Sequence, residues 1–549
     1  MVPTSATEKP VEIPLRHIGK GSPSSSSGRV TSTTLTTTTG IKDPSNSSSG
    51  EVSAVQTDIE TALEDSRPRN EFQQLPPVDT GKDAWLFLAA CFVLECLVWG
   101  MLLSLFAQVC ASLSSPFFSS VGIPFSFGVF QNYYSIHEPW ASSGNTAVIG
   151  TCSMGIMYLD TPLIMGLLRR FPRQGRWSPI FGLVIMCLGL ALSSFSTTVT
   201  HLIITQGVIY AIGGSIAYSP CIIYLDEWFV MRKGLAYGIM WSGTGLAGVI
   251  LPLLLEYLLS TCGFQTTVRL WACLVFVLTA PLAYYIKPRI PAPLSSSAAS
   301  TYKPFALRFV LSQKFMLYQL ANIVEAVGFF LPAIYLPSYA RSTLGASPFP
   351  SALTLLLLNV ASVFGCVAMG SLIDRWHVTT CILVSTIGAT LGTFLLWGFS
   401  MNLPVLYIFC LVYGLFAGSF TSTWPGIMRE MARERISVST TTNITGSGAN
   451  GSNSTNMLVS NDDHGNNGHS GEEYGNNVDP VMVFGFLALG RGVGNVVSGP
   501  LSEALVRGAP WQGEAVGGYG SGYGSLIAFT GVTALFGGGS YVWRRLGWL

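Results

Sequence analysis

From Trp85 to the C-terminus, long apolar runs alternate with short polar connections. A helix needs about 20 mostly apolar residues to cross a bilayer, and its backbone groups must be satisfied within the segment itself. By that rule the chain holds about twelve runs. Their approximate extents are 84–134 (interrupted), 142–167, 177–195, 201–224, 234–257, 268–286, 316–340, 351–373, 379–399, 403–427, 480–506 and 523–543. The pattern predicts an all-α membrane protein with 12 transmembrane helices.

Two stretches break this texture. Residues 1–81 contain Ser/Thr-rich tracts such as Ser24–Gly28 and Thr31–Gly40, which cannot bury enough surface to fold, and residues 437–477 are similarly rich in Ser, Thr, Asn and Gly. Both are expected to be disordered. The division that follows is an N-terminal segment 1–81, a first six-helix half 82–286, a central connection 287–315, a second half 316–543 holding the 437–477 loop, and a tail 544–549. No charged-then-apolar leader opens the chain, so the first span is expected to serve as the insertion signal.

The Lys and Arg residues give the orientation. They gather on alternate connections: Arg169, Arg170, Arg173 and Arg176; Arg232 and Lys233; Lys287, Arg289, Lys303, Arg308 and Lys314; Arg375; Arg429, Arg433 and Arg435; Arg544 and Arg545. Opposite connections offer Arg269, Arg341 and Arg507. Short basic loops stay cytoplasmic, which places both termini and the 437–477 loop inside, in a plasma or vacuolar membrane. Parity then allows one crossing within 84–134. Residues 101–122 are read as an insertion, whose removal joins Trp99-Gly100 to Ile123-Pro124-Phe125; an outer re-entrant segment is the alternative.

Composition excludes several functions. Charged residues make up 10% of the 549, and mean hydropathy is +0.47, whereas soluble domains carry roughly 25% charged residues. A net charge of +1 leaves no basic face for nucleic acid. The eleven cysteines form no C-x-x-C pair and the six histidines no H-E-x-x-H pair, so no metal, no cofactor and no enzymatic role are expected. No G-x-x-x-x-G-K-[ST] loop is present to run an ATP-driven pump.

Ionisable side chains deep in a span are costly and face a cavity or a partner. Counting along the helices places Glu95, Asp160, Glu325 and Arg491 at such depth. Arg491 suits an anionic group, because guanidinium grips carboxylate with two parallel hydrogen bonds. An internal pair with Glu325 or Asp160 is the competing reading. For Glu95, Asp160 and Glu325, proton coupling stands beside a structural hydrogen-bonded acid. Trp241, Trp397, Phe329 and Tyr335 are candidates for cavity walls or for packing.

Gly243-Thr-Gly245 with Pro252 in the fifth run and Gly492-Val-Gly494 with Pro500 in the eleventh stand at equivalent places of a six-plus-six arrangement. The stretch from Glu227-Trp228-Phe229 through Arg232-Lys233-Gly234 to Gly243-Thr244-Gly245 resembles the fifth-span entrance of monocarboxylate-transporter-like proteins of the major facilitator superfamily. Gly328 to Ala340 is similar to their seventh span, and Gly490 to Ser502 to the eleventh of fungal members. The superfamily's G-x-x-x-D-R loop stands as Gly370-Ser-Leu-Ile-Asp374-Arg375, while the first half has Gly166-Leu-Leu-Arg169-Arg170 instead. Animal lactate carriers of the family use a first-span lysine and an eighth-span acid–arginine pair. Here the first span offers Glu95, and Leu353 to Ser371 is uncharged.

The resemblance implies a major facilitator fold in two six-helix halves. It also implies a monomeric secondary transporter of a small organic solute, a carboxylate or other anion, moved by proton-coupled symport and alternating access. Arg232, Lys233, Asp374 and Arg375 become gating residues where the halves meet. A facilitative uniporter or a nutrient sensor on the same fold is the alternative.

Overall fold

A computed structural model describes residues 76–100, 134, 139–140, 147–290, 307–433 and 478–549. The expected insertion 101–122, the loop 437–477, residues 1–75 and most of the central connection lie outside the described residues.

Polar residues at the edges of the apolar runs start the helices. The Ser312 hydroxyl accepts the Phe315 N–H (3.3 Å), the Asn402 amide oxygen the Val405 N–H (3.2 Å) and the Asp479 carboxylate the Val481 N–H (3.0 Å). Each satisfies an amide that the first helical turn leaves without a partner. The helices are α1 (Lys82–Gly100), α2 (Ala147–Leu159), α3 (Thr161–Arg170) and α4 (Ser178–Ser193). Then come α5 (Val199–Trp228), α6 (Lys233–Leu251), α7 (Tyr257–Tyr284), α8 (Gln313–Ser342) and α9 (Phe349–Ile373). The last are α10 (Val378–Trp397), α11 (Leu403–Arg433), α12 (Pro480–Val506) and α13 (Gly524–Arg545).

Among the described residues nine helices are individually long and apolar enough to cross a membrane. The α2–α3 pair, bent by 41° at Asp160, makes a tenth if counted as one span, and α1 and α4 are further apolar helices among the described residues. Within α7 the backbone leaves helical geometry at Gly263, whose φ of +72° is a conformation that side chains with a Cβ avoid. Large apolar side chains such as Leu163, Phe181, Phe364 and Leu535 point outward and are exposed. That surface would be unstable in water and is the one a bilayer covers.

The first six spans meet the last six along two seams, α6 against α9 and α12 against α2 and α3. Both are lined by glycine. A Cβ on Gly238 would lie 2.4 Å from the Cys366 carbonyl oxygen, and one on Gly370 would lie 2.4 Å from that of Gly234. On the other seam Gly485 faces Pro162 and Gly492 faces Tyr158. The glycine pairs read as equivalent from the sequence divide their work alike. Gly245 and Gly492 lie on the seams, while Gly243 packs on α1 and Gly494 on α8.

Candidate functional site

Between the two sets of six spans lies a cavity of about 210 Å³. Its walls are mostly apolar and aromatic, with Trp99, Tyr158, Trp241, Phe329, Trp424 and Phe484 among them. Among the described residues two charged side chains line it, Glu95 from α1 and Arg491 from α12. Both are buried, at 3% and 2% exposure.

Arg491 is paired. Its Nη1 lies 2.8 Å from Glu325 Oε2 on α8, and its guanidinium carbon lies 4.3 Å from the centre of the Phe329 ring. The structure thus brings together two of the four deep residues expected from sequence, in the internal arrangement weighed against the anion anchor. Packing sets this geometry: α8 lies along α12, with the Asn322 amide donating to the Leu487 carbonyl (2.8 Å).

Glu95 sits on the opposite wall. Its Oε1 accepts the Thr244 hydroxyl of α6 at 2.6 Å, and its Oε2 makes no hydrogen bond of standard geometry. Helices α1 and α6 approach closely here because Gly243 presents no side chain; the Cys96 thiol donates to its carbonyl (3.1 Å). Asp160 is placed elsewhere. It stands at the α2–α3 bend, outside the cavity lining; neither carboxylate oxygen makes a hydrogen bond of standard geometry, and the Ser215 hydroxyl of α5 is its polar neighbour.

On one side the cavity is floored by aromatic rings from both sets of spans. Trp241 stacks on Phe484 (6.0 Å between centres, 15° between planes), and Trp424 meets both edge-on, at 6.0 Å from Trp241 and 5.3 Å from Phe484. Tyr237 packs against Trp241 from below, 5.0 Å away. Trp397 and Tyr335, also singled out from sequence, lie outside this cavity; Trp397 stacks on Phe409.

Beneath the floor the basic span ends gather on one face. Asp374, at the end of α9, accepts the Gly234 and Leu235 amides at the start of α6, each at 2.8 Å. Arg429 of α11 lies 3.3 Å from the same carboxylate and donates to the Ile373 carbonyl (2.6 Å). A carboxylate at a helix N-terminus meets the positive end of the helix dipole as well as free amides. On the other seam Arg169, at the end of α3, lies 3.2 Å from Asp479, which itself caps α12.

The other predicted gating residues are placed differently. Lys233 pairs with Asp226 within the first six spans (2.6 Å). Arg232 and Arg375 point outward, exposed. The Arg232 amide, with those of Val230 and Met231, donates instead to the Asp79 carboxylate ahead of α1 (2.9–3.1 Å). Sequence reading took Arg169 and Arg429 only as orienting loop charges and gave no site role to Asp79, Asp479, Thr244 or the cavity-lining Tyr218. The Asp374 motif was visible because both of its charges are local, whereas Arg169 and Asp479 become partners across 310 positions of chain.

The description "Major Facilitator Superfamily" matches residues 100–452. The chain belongs to the Major Facilitator Superfamily. Within it, this facilitator is 28% identical to "MFS-type transporter 1" of Ophiocordyceps sp. over 324 residues, 57% of this chain and 69% of the relative. It is 26% identical to "MFS transporter asaE" of Aspergillus flavus over 66% of this chain and 76% of the relative. To "Monocarboxylate transporter 10" of Danio rerio it is 27% identical over 59% of this chain and 64% of the relative. These relatives agree with the resemblance read from the fifth, seventh and eleventh spans: a monocarboxylate-transporter-like facilitator of fungal kind. The facilitator is an integral, multi-pass membrane transporter.

Proposed function

We propose that this facilitator is a secondary active transporter that moves a small organic solute by alternating access through the cavity between its halves, coupled to protons. The reading rests on one observation above all: an aromatic-lined cavity between the two sets of spans, holding Glu95 on one wall and the Arg491–Glu325 pair on the other. Sites of this kind, at the interface of rocking halves, are where secondary transporters bind their cargo.

Arg491 is the proposed anchor for an anionic group on the solute. Its guanidinium has five donors, of which the pair with Glu325 engages Nη1, so a carboxylate can be added to the cation without unpairing it. Glu95 is the proposed proton carrier, since a buried carboxylate with an unsatisfied oxygen is far cheaper neutral than charged. The face bearing Asp374, Arg429, Arg169 and Asp479 is proposed to be cytosolic and closed in this conformation.

The test is an uptake screen with the purified protein in proteoliposomes against small carboxylates, amino acids and vitamins, with and without an imposed pH gradient. The reading expects at least one organic solute to accumulate when the gradient is present. Absence of uptake across the panel, by protein that is folded and inserted, contradicts it.

A further inference from the structure

Between the acid in the cavity and the aromatic floor stands one phenol, Tyr218. The Trp241 indole N–H donates to the Tyr218 hydroxyl at 3.0 Å. That hydroxyl comes from α5 and is the one facing the Glu95 carboxylate beside Thr244. All three side chains are buried, at 3% for Glu95, 6% for Tyr218 and 9% for Trp241. A phenol has one proton to give and lone pairs to accept. Tyr218 oxygen already accepts from the indole, so its proton is free for an acceptor, and the Glu95 carboxylate that it faces has one oxygen, Oε2, without a hydrogen bond.

We infer that Tyr218 is a positioning residue that ties the protonation of Glu95 to the Trp241 floor of the cavity. This rests on the proposed role of Glu95 as proton carrier and adds how that proton is felt at the gate. With Glu95 ionised, Tyr218 donates to it in a charge-assisted bond, roughly twice as strong as a neutral one. The phenol is then held with its lone pair toward the indole, and Trp241 is fixed between Phe484 and Trp424. Protonation of Glu95 removes the charge and turns the carboxyl into a competing donor. The phenol loses its orientation, and the floor is released.

Among the described residues of this cluster, Glu95 is the carboxylate without an ion pair. On its own helix stand Cys91 and Cys96, and α5 adds Tyr218 and Cys221. Across the cavity stand Tyr158 of α2, Cys366 of α9 and the Arg491–Glu325 pair. Thiols and phenols ordinarily keep their protons below pH 7, and Arg491 has Glu325 bound to it. Beyond the floor, Tyr237 donates to Asp226 (3.1 Å), which is paired with Lys233.

Indole emission of the intact protein in lipid nanodiscs, followed from pH 5 to 8, tests the link without knowledge of the solute. The inference expects a single-proton transition in the wild type that disappears in Trp241→Phe, where the reporter is lost. It also expects a flat profile in Glu95→Gln and in Tyr218→Phe, where Trp241 remains. A transition that persists in Tyr218→Phe, or none in the wild type, overturns the link. Folding of each variant is checked by monodispersity. In proteoliposomes, pH-driven accumulation that survives in Tyr218→Phe while Glu95→Gln has lost it removes Tyr218 from the coupling and leaves proton carriage by Glu95 standing.

Discussion

Arg491 and Glu325 are each costly alone in this environment, and the 2.8 Å pair offsets much of that cost. Removing one partner leaves the other buried and charged. Glu325→Ala is therefore expected to destabilise the protein by about 3–5 kcal/mol, the usual penalty for breaking a buried pair. A thermal-shift measurement in detergent checks this; an unchanged melting temperature would show that the guanidinium finds another partner. Arg491→Lys keeps the charge and loses the planar fork. An anchoring role predicts solute affinity weakened by about tenfold or more, on the scale of one charge-assisted hydrogen bond. Equal affinity in a folded variant assigns Arg491 to structure alone.

At the scale of helices, the proposed alternating access requires the two seams to separate for the cavity to open toward the basic face. Gly238 and Gly370 allow α6 and α9 to touch backbone to backbone, and a methyl group on either would collide with a carbonyl oxygen at 2.4 Å. Gly370→Ala is accordingly expected to spread this seam and favour the conformation open at the basic face. Hydrogen exchange at the α6 N-terminus should rise in the variant, and unaltered protection there contradicts the close-contact account.

Asp374 secures the same seam electrostatically, by two amides, a helix dipole and Arg429. Asp374→Asn is expected to change transport rate more than solute affinity, because the contacts belong to a conformation and not to the cavity. A pure affinity change would move Asp374 out of the gate. On the second seam, reversing one charge as Arg169→Asp should impair transport, and adding Asp479→Arg should restore part of it. Failure of the double variant to recover anything beyond either single variant argues against a direct pair.

For the molecule as a whole, the span boundaries were largely legible in the sequence, since bilayer thickness forces a length and a composition on every crossing. The runs 480–506 and 523–543 correspond closely to α12 and α13. Glu95, Glu325 and Arg491, expected from their place in apolar runs to face a cavity or a partner, are all buried. Partners were not. Whether Arg491 faces Glu325 depends on how α8 and α12 are rotated, and no local pattern carries that angle. The bend at Asp160 and the aromatic floor arise in the same way, from contacts between segments that lie far apart along the chain.

Orientation is tested at this scale too. The sequons beginning at Asn46, Asn443, Asn450 and Asn453 fall on segments expected inside the cell, so none should carry glycan. A glycosidase-sensitive shift that vanishes when these asparagines are replaced inverts the orientation.

The central claim is that a proton on Glu95 drives solute through the cavity, and it is tested most directly by comparing two transport modes in one variant. Proteoliposomes with wild-type protein should accumulate the solute under an inward proton gradient. Those with Glu95→Gln should lose accumulation yet retain counterflow exchange of the same solute, because exchange requires no net proton release. Accumulation by Glu95→Gln at the wild-type rate and level would contradict the account.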